Sequence, residues 1–266
     1  MPSEKRARIR ANQQKLKEAE MARVKRRRLM RTSAIVVLAA IVVFVGIYLL
    51  TKPTTKKTTA AAKTTAKTSP AKTTGYLLPN GCPNPSATIP RKTHFKKYPP
   101  ECLNPKDHYT AIVDTTAGTF DIKLEPNLGP KSANNFYVLS LYHFFNGTTF
   151  FRVIPGFVIQ GGSPTNNDFG TPGYSFGDKN PPAGSYHIGT VAMANSGSPN
   201  TNGSQFFVVS GAEGEKGLSD TYSVFGQVTT GLSVIAKINA GGSTANNGIP
   251  PKTTYKINTV TIQVTK

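Results

Sequence analysis

From residue 107 onward, the chain is a series of short apolar segments separated by glycine- and proline-rich turns. The first two segments alternate apolar and polar residues on either side of a turn at 117–118, a pattern that predicts a β-hairpin. The segments expected to form strands are 109–116, 120–124, 149–153, 157–160, 190–194, 206–210, 224–228 and 260–264. So many short strands favour a mainly β fold, and closure of the sheet into a barrel would leave no exposed strand edge.

Two further segments have the periodicity of helices. Pro130 suits the first turn of a helix, and Ala133 and Phe136 follow it at the spacing of one buried face. A second helix is predicted over residues 232–239, with Gly241 just after its end. Together these patterns predict a closed β-barrel capped by two helices.

The first 75 residues have compositions that do not build a globular core. Residues 1–31 are polar and strongly basic, residues 51–75 are almost entirely Lys, Thr and Ala, and residues 34–50 carry no charge. As a helix, the uncharged run would span about 25 Å, close to the shortest length that crosses a bilayer. We therefore expect a transmembrane signal anchor over residues 32–50 and a disordered linker over 51–75.

The basic residues before the apolar run predict the orientation of this anchor. Positively charged flanks stay in the cytoplasm, so residues 1–31 would form a cytoplasmic tail and the rest of the chain would lie outside. A cleaved signal peptide is the alternative interpretation, but the basic segment is unusually long for one and no small-residue cleavage pattern follows. We expect a single-pass protein of the cell membrane.

The net charge of +19 is confined to the N-terminal part of the chain. Residues 1–50 carry 12 Lys and Arg against 3 Asp and Glu, residues 51–106 carry 11 against 1, and residues 107–266 carry 9 against 9. A domain that binds nucleic acid would carry the basic surface itself, so we expect no nucleic-acid partner for the folded part. A basic tail that binds nucleic acid or ribosomes is a weaker alternative, because membrane orientation already accounts for its charge.

Residues 76–106 form a proline-rich segment, called the strap below, which contains both cysteines of the chain. Cys82 and Cys102 lack the partners of a metal site, so no metal is expected. A disulfide between them is predicted if this part of the chain lies outside the cytoplasm, and two free thiols are the alternative. The sequence leaves open whether the strap packs on the barrel or partly covers a groove.

Two long motifs stand out in the domain over residues 107–266. Residues 150–162 have the sequence FFRVIPGFVIQGG and residues 193–207 have the sequence MANSGSPNTNGSQFF. With Asn134-Asn135-Phe136 and the segment 224–226, they resemble the signature motifs of the cyclophilins in order and spacing, over roughly residues 109–266. The chain is thereby similar to a bacterial-like, membrane-anchored cyclophilin.

The resemblance implies an eight-stranded antiparallel barrel with a helix at each end. It also implies a peptidyl-prolyl cis/trans isomerase that acts on proline-containing proteins or peptides and needs no cofactor. The sequence does not determine the oligomeric state, and we expect a monomer. Outside the cytoplasm, such an enzyme would assist protein folding, because prolyl isomerisation can limit the folding rate. A non-catalytic scaffold or holdase that binds proline-containing segments is the alternative.

The resemblance also assigns roles to individual residues. Arg152 matches the catalytic arginine, whose guanidinium would bind the prolyl nitrogen when amide resonance is lost in the twisted transition state. Residues matching the proline pocket are Phe157, Val158, Phe207 and Leu218. Residues matching the peptide-backbone contacts are Gln160, Asn195 and Gln205, with Ala194 close by.

Four positions depart from the family pattern. Val158 stands where methionine is usual, and Phe151 replaces a common histidine. Tyr222 stands where histidine is frequent and is still expected to bind substrate, by donating a hydrogen bond. Gly217 falls where some members carry a tryptophan linked to binding of cyclosporin-type macrocycles. We therefore expect weak cyclosporin binding, measurable by competition in an isomerase assay.

Overall fold

A computed structural model describes residues 75–266 of the chain. The predictions for the basic tail, for the signal anchor and for the linker up to residue 74 lie outside the described residues. Within the described part, no helix has the length and apolar character needed to cross a membrane.

Eight antiparallel strands make one sheet in the described residues. They are β1 His108–Thr115, β2 Gly118–Leu124, β3 Arg152–Ile154, β4 Val158–Gly161, β5 Thr190–Met193, β6 Phe206–Val209, β7 Val224–Thr230 and β8 Ile257–Thr265. The strand order is β3-β4-β6-β5-β7-β2-β1-β8. Each predicted strand segment contains part of one of these strands, so the mainly β fold and the strand number are confirmed.

β3 and β8, the first and last strands of this order, are joined by residues that lie just before each strand. Thr149 and Lys256 form an isolated antiparallel bridge, and the Phe150 N–H donates to the Tyr255 carbonyl at 3.0 Å. Within residues 75–266, no ladder joins β3 to β8. The pairing establishes a half-barrel of eight strands, and complete closure stays a prediction.

Three helices accompany the sheet in the described residues: α1 Pro130–Leu141, α2 Ala212–Gly217 and α3 Leu232–Ala240. The two predicted helices, α1 and α3, are confirmed, and α1 begins with proline as expected. The prediction of only two helices was wrong, because the short α2 lacks an apolar periodicity that sequence could show. A 3₁₀ turn follows at Ala245–Gly248.

The main core is built from aromatic side chains between α1 and the sheet. The fully buried Phe136 of α1 stacks on Phe145 at 4.8 Å between ring centroids and meets Phe206 edge-on at 5.3 Å. Phe225 of β7 lies 5.2 Å from the same ring. Burial of so much aromatic surface fixes α1 against the sheet and makes the strands a rigid support for the site.

The sequence left open whether the strap packs on the barrel or partly covers a groove. In the structure, the strap packs on α1. Asn134 of α1 accepts from the Cys102 N–H at 2.7 Å and donates to the Pro100 carbonyl at 2.9 Å. Ile89 and Phe95 of the strap belong to the main core. The strap is therefore a packed part of the folded unit.

The predicted disulfide is confirmed. Cys82 and Cys102 are bonded, with their Cα atoms 5.6 Å apart. Because Cys102 is also bound to α1 through Asn134, the disulfide ties the start of the strap to its docked end.

Candidate active site

A pocket of about 170 Å³ lies beside β3, β4 and β6. Its lining residues are Arg152, Phe157, Val158, Gln160, Ala194, Asn195, Phe207, Gly217, Leu218, Ser219 and Tyr222. Nine of the ten residues predicted from the motifs are among them, and the tenth, Gln205, hydrogen-bonds to the lining residue Gln160. The structure thus brings the predicted residues together, while their individual roles stay predictions.

The floor of this pocket is apolar and rigid. Val158 on β4 and Phe207 on β6 are almost fully buried, at 1% and 3% exposure. With Val209 and Val224 they belong to a small hydrophobic cluster of their own. Tyr222 closes one side, since its ring meets that of Phe207 edge-on at 5.4 Å. A flat apolar ring without a hydrogen-bond donor would fit such a slot.

Arg152 stands at the edge of the slot and is held by its neighbours on the sheet. Its Nη1 donates to Gln160 Oε1 at 2.8 Å, because residues 152 and 160 are directly paired across β3 and β4. Gln160 Nε2 in turn donates to Gln205 Oε1 at 2.9 Å. Gln205 is fixed by the carbonyls of Asp168 and Gly170, at 3.0 and 2.9 Å.

This chain of hydrogen bonds gives the two glutamines contacts within the protein that the sequence did not predict. Both Gln160 and Gln205 were predicted to hold the peptide backbone of a substrate. In the structure, their amides are engaged with each other, with Arg152 and with loop carbonyls. These contacts support the arginine, and the predicted contact of both glutamines with a substrate backbone stays a prediction.

Asn195 is likewise engaged within the protein. Its Nδ2 donates to the Thr221 carbonyl at 3.0 Å, and its Oδ1 accepts from the Gly197 N–H at 3.0 Å. These bonds join two loops at the rim of the pocket. One N–H of the amide is left for a substrate, so the predicted backbone contact stays a prediction.

The Arg152 guanidinium is half-desolvated but is not neutralised by a carboxylate. Burial lowers the pKa of Arg152 below its usual range, and the more distant Asp168 and Tyr222 act in the opposite direction. The one ion pair found within residues 75–266 joins Lys123 and Glu125. A guanidinium has five N–H donors and three are used in the protein. One N–H on each Nη atom is therefore free to bind a substrate.

Two contributing residues were missed by the sequence analysis. Asn247 accepts from Arg152 through both its carbonyl and its side-chain oxygen, each at 3.1 Å. The single hydroxyl proton of Tyr186 is shared between the carbonyls of Ser219 and Tyr222, at 3.1 and 3.0 Å, and this contact fixes the loop that closes the slot. Burial raises the pKa of Tyr186 to about 12, so its phenol keeps its proton at neutral pH.

Of these two residues, only Asn247 carried a signal in the sequence. It lies in Asn246-Asn247-Gly248, a combination typical of turns that need left-handed backbone conformations. Tyr186 had no comparable signal, because its partners are 33 and 36 residues away.

The slot continues into a larger pocket of about 470 Å³, which shares Gln160, Ala194 and Asn195 with it. Tyr174 lines the larger pocket and packs edge-on against Tyr98 of the strap at 5.9 Å. Among the described residues, no hydrogen bond of the strap reaches a residue lining the slot. No residue of the strap is among those lining the slot, and the strap contacts the wall of the larger pocket at Tyr174.

Comparison with known proteins assigns this arrangement to a family. The family model described as "Cyclophilin type peptidyl-prolyl cis-trans isomerase/CLD" matches residues 110–262. The chain belongs to the cyclophilin family. The matched range contains all ten residues predicted for the cyclophilin site.

Individual relatives support the same assignment. Over 133 residues, the cyclophilin is 44% identical to a peptidyl-prolyl cis-trans isomerase of Arabidopsis thaliana; the match covers 48% of the chain but only 26% of the plant protein. It is 36% identical over 155 residues to the isomerase-like protein 1 of Rhizopus delemar, covering 56% of the chain and 92% of that relative.

A solved structure agrees as well. The crystal structure of a cyclophilin-type isomerase from Cryptosporidium parvum matches with a TM-score of 0.53 and 29% identity, covering 59% of this chain and 98% of that one. The described part of this cyclophilin is thus a peptidyl-prolyl cis-trans isomerase domain.

The departures from the family pattern have clear positions in this cyclophilin. Phe151 is 4% exposed and does not line the slot. Gly217 does line it, and a Cβ atom there would lie 3.3 Å from the Phe157 ring. Gly217 itself supplies no aromatic side chain to a macrocycle, and weak cyclosporin binding stays a prediction.

Catalysis by this slot is expected to be nearly independent of pH around neutrality. Histidine is the side chain that ordinarily changes charge between pH 5 and 8, and none lines the slot. Burial lowers the pKa of Arg152, but the ordinary value is so high that the guanidinium stays charged throughout this interval. We expect kcat/KM for an X-Pro peptide to vary by less than about twofold between pH 6 and 8. A steep change across this interval, measured by NMR exchange, would show that another group titrates with the reaction.

Proposed function

We propose that this cyclophilin is a membrane-anchored isomerase that accelerates rotation about X-Pro bonds in proteins outside the cytoplasm and so assists their folding. The observation that carries the proposal is a guanidinium with two free N–H groups, fixed at the edge of an apolar slot. The reaction must lower a barrier of about 18–20 kcal/mol that arises from amide resonance. Without catalysis, exchange takes tens to hundreds of seconds.

In the proposed mechanism, the slot holds the pyrrolidine ring while the preceding acyl group rotates. Phe207 and Val158 form the floor, and a proline ring has no N–H that this floor would leave unsatisfied. As the imide twists, the prolyl nitrogen regains its lone pair, and a free N–H of Arg152 donates to it. The planar ground state lacks this acceptor, so the bond stabilises the transition state selectively.

A related structure supports proline-containing peptides as the substrate. The Cryptosporidium parvum isomerase was also crystallised in the presence of the dipeptide Ala-Pro, and that structure is 30% identical to this chain with a TM-score of 0.52. A non-catalytic scaffold or holdase would use the slot in the same way. It would gain nothing from the engaged and ordered Arg152, which favours the enzyme.

Two features support the location outside the cytoplasm. The apolar run over residues 34–50 follows a strongly basic segment, as in a signal anchor with a cytoplasmic N-terminus. The strap contains a disulfide, and disulfides persist mainly in oxidising compartments.

The location and the folding role can be tested on the full chain. In intact cells carrying an epitope at each end, added protease should remove the C-terminal epitope and spare the N-terminal one. Purified full-length chain should accelerate the slow refolding phase of a protein limited by prolyl isomerisation. Protection of both epitopes would refute the topology, and an unchanged slow phase would refute the folding role.

A further inference from the structure

The segment after α3 lies directly against β3, next to Arg152. The Ser243 N–H donates to the Val153 carbonyl at 3.1 Å. A Cβ atom added at Gly242 or Gly248 would lie 2.8 or 2.7 Å from the same carbonyl oxygen, which is closer than real Cβ atoms approach. The glycines thus permit a backbone contact that brings the 3₁₀ turn beside the arginine.

The backbone of the 3₁₀ turn has an unusual conformation, which explains why asparagine stands at two positions but not why one of them binds Arg152. Asn246, Asn247 and Gly248 have φ angles of 48°, 57° and 85°. Asparagine and glycine tolerate this left-handed region best. If backbone conformation were their only role, Asn246 and Asn247 would be equivalent. Only Asn247, however, hydrogen-bonds to Arg152.

We infer that Asn247 is a positioning residue for Arg152, and this inference rests on the proposed function. Its carbonyl binds Nε and its Oδ1 binds Nη2, while Gln160 binds Nη1 from the other side. Because the guanidinium is planar, anchors on all three nitrogens fix the direction of the two free N–H groups. Asn247 thereby sets where the prolyl nitrogen must lie to be bound.

Removal of the Asn247 side-chain oxygen should leave the Nη2 atom of Arg152 without its hydrogen-bond acceptor. The group would then have to be ordered again in each transition state, while ground-state binding in the slot would be little affected. We expect kcat to fall by roughly tenfold with KM nearly unchanged, the size of effect of one hydrogen bond to a charged group.

The test compares Asn247→Gly with the matched control Asn246→Gly in the full chain. Both variants replace an asparagine in the left-handed region by glycine, which adopts that conformation freely. Only Asn247→Gly removes an oxygen from Arg152. We expect kcat to fall in Asn247→Gly, to stay near the wild-type value in Asn246→Gly, and to be largely restored in Asn247→Asp, which keeps an acceptor.

Two further measurements separate positioning from a general effect on the fold. In an Arg152→Ala background, Asn247→Gly should cause no additional loss of activity, because the group that it positions is gone. By NMR, rotation of the Arg152 Nη groups about their Cζ–Nη bonds should be faster in Asn247→Gly and unchanged in Asn246→Gly.

The outcomes distinguish this inference from the proposed function. Equal kinetics and equal Arg152 rotation in the two glycine variants would overturn the role of Asn247 while leaving the isomerase intact. If the wild-type chain itself failed to isomerise X-Pro peptides, the proposed function would fall. The NMR comparison would still decide whether Asn247 orders the guanidinium.

Discussion

Replacement of Arg152 by alanine is expected to lower kcat/KM for an X-Pro peptide by about 10²–10³-fold, the usual cost of losing a donor that acts on charge developing in the transition state. The slot itself would remain, since the nearby Phe207 and Val158 are buried in a cluster that does not include the arginine. Ground-state affinity for a proline-containing peptide should therefore change little. The loss should appear mainly in kcat.

The measurement is cis/trans exchange of an X-Pro peptide by NMR with the purified full chain. Arg91→Ala is a matched control, because Arg91 also binds backbone carbonyls, those of His143 and Asn146, but does not line the slot. It should retain wild-type kinetics. Arg152→Lys keeps the charge but loses the planar fork, so its rate should lie between wild type and Arg152→Ala. Equal rates in wild type and Arg152→Ala would favour the scaffold or holdase.

The strands were predictable from sequence because their signal is local. Residues 120–124 alternate apolar and polar side chains, and β2 buries Phe120, Ile122 and Leu124 on one face, as this alternation requires. The predicted ends of the strands were less accurate where hydrogen bonding to a neighbouring segment determines where a strand begins. The predicted strand 149–153 is observed as Arg152–Ile154, because Thr149 and Phe150 bond instead to residues before β8.

Helix α2 shows why some elements escape sequence analysis. Its six residues, Ala212–Gly217, include two glycines and have no apolar periodicity. It is held by distant backbone, since the Glu213 N–H donates to the Gly156 carbonyl at 3.0 Å and a Cβ atom on Gly214 would lie 2.4 Å from the Phe157 carbonyl. Such an element depends on tertiary contacts that a local pattern does not contain.

In the site, the motifs identified which residues come together but not how they are connected. The cyclophilin resemblance placed Arg152 beside Gln160 and Gln205, but it did not predict the hydrogen bonds that connect the two glutamines to each other and to the arginine. Asn247 is 95 residues away from Arg152 along the chain. Its turn signal was present, but a turn signal predicts backbone shape and does not tell which side chain the turn will contact.

Removal of the disulfide is expected to lower the free energy of unfolding of the domain by about 3 kcal/mol. Cys82 and Cys102 are 20 residues apart, and a cross-link that closes a loop of this length restricts the unfolded chain by about that amount. For a domain of this size, Tm should fall by roughly 6–12 °C. The comparison is wild type against Cys82→Ala/Cys102→Ala, followed by thermal and denaturant unfolding of the full chain.

Treatment of both proteins with a reductant is the control for this experiment. It should lower the Tm of the wild type to near that of the double variant and leave the double variant unchanged. An unchanged Tm on reduction would show that the packing of Ile89 and Phe95 in the core holds the strap without the cross-link.

The isomerase activity of the double variant shows whether the strap only stabilises the domain or also shapes the site. The strap packs on the wall of the larger pocket at Tyr174, through the rings of Tyr98 and Phe95. The slot and its arginine are held by hydrogen bonds from β4 and the turn at Asn247, which do not involve the strap. At 25 °C, where the double variant should remain folded, kcat/KM should therefore lie within about twofold of the wild-type value. A larger loss of activity in the folded double variant would mean that the wall at Tyr174 contributes to catalysis and that the strap is part of the enzyme's substrate groove.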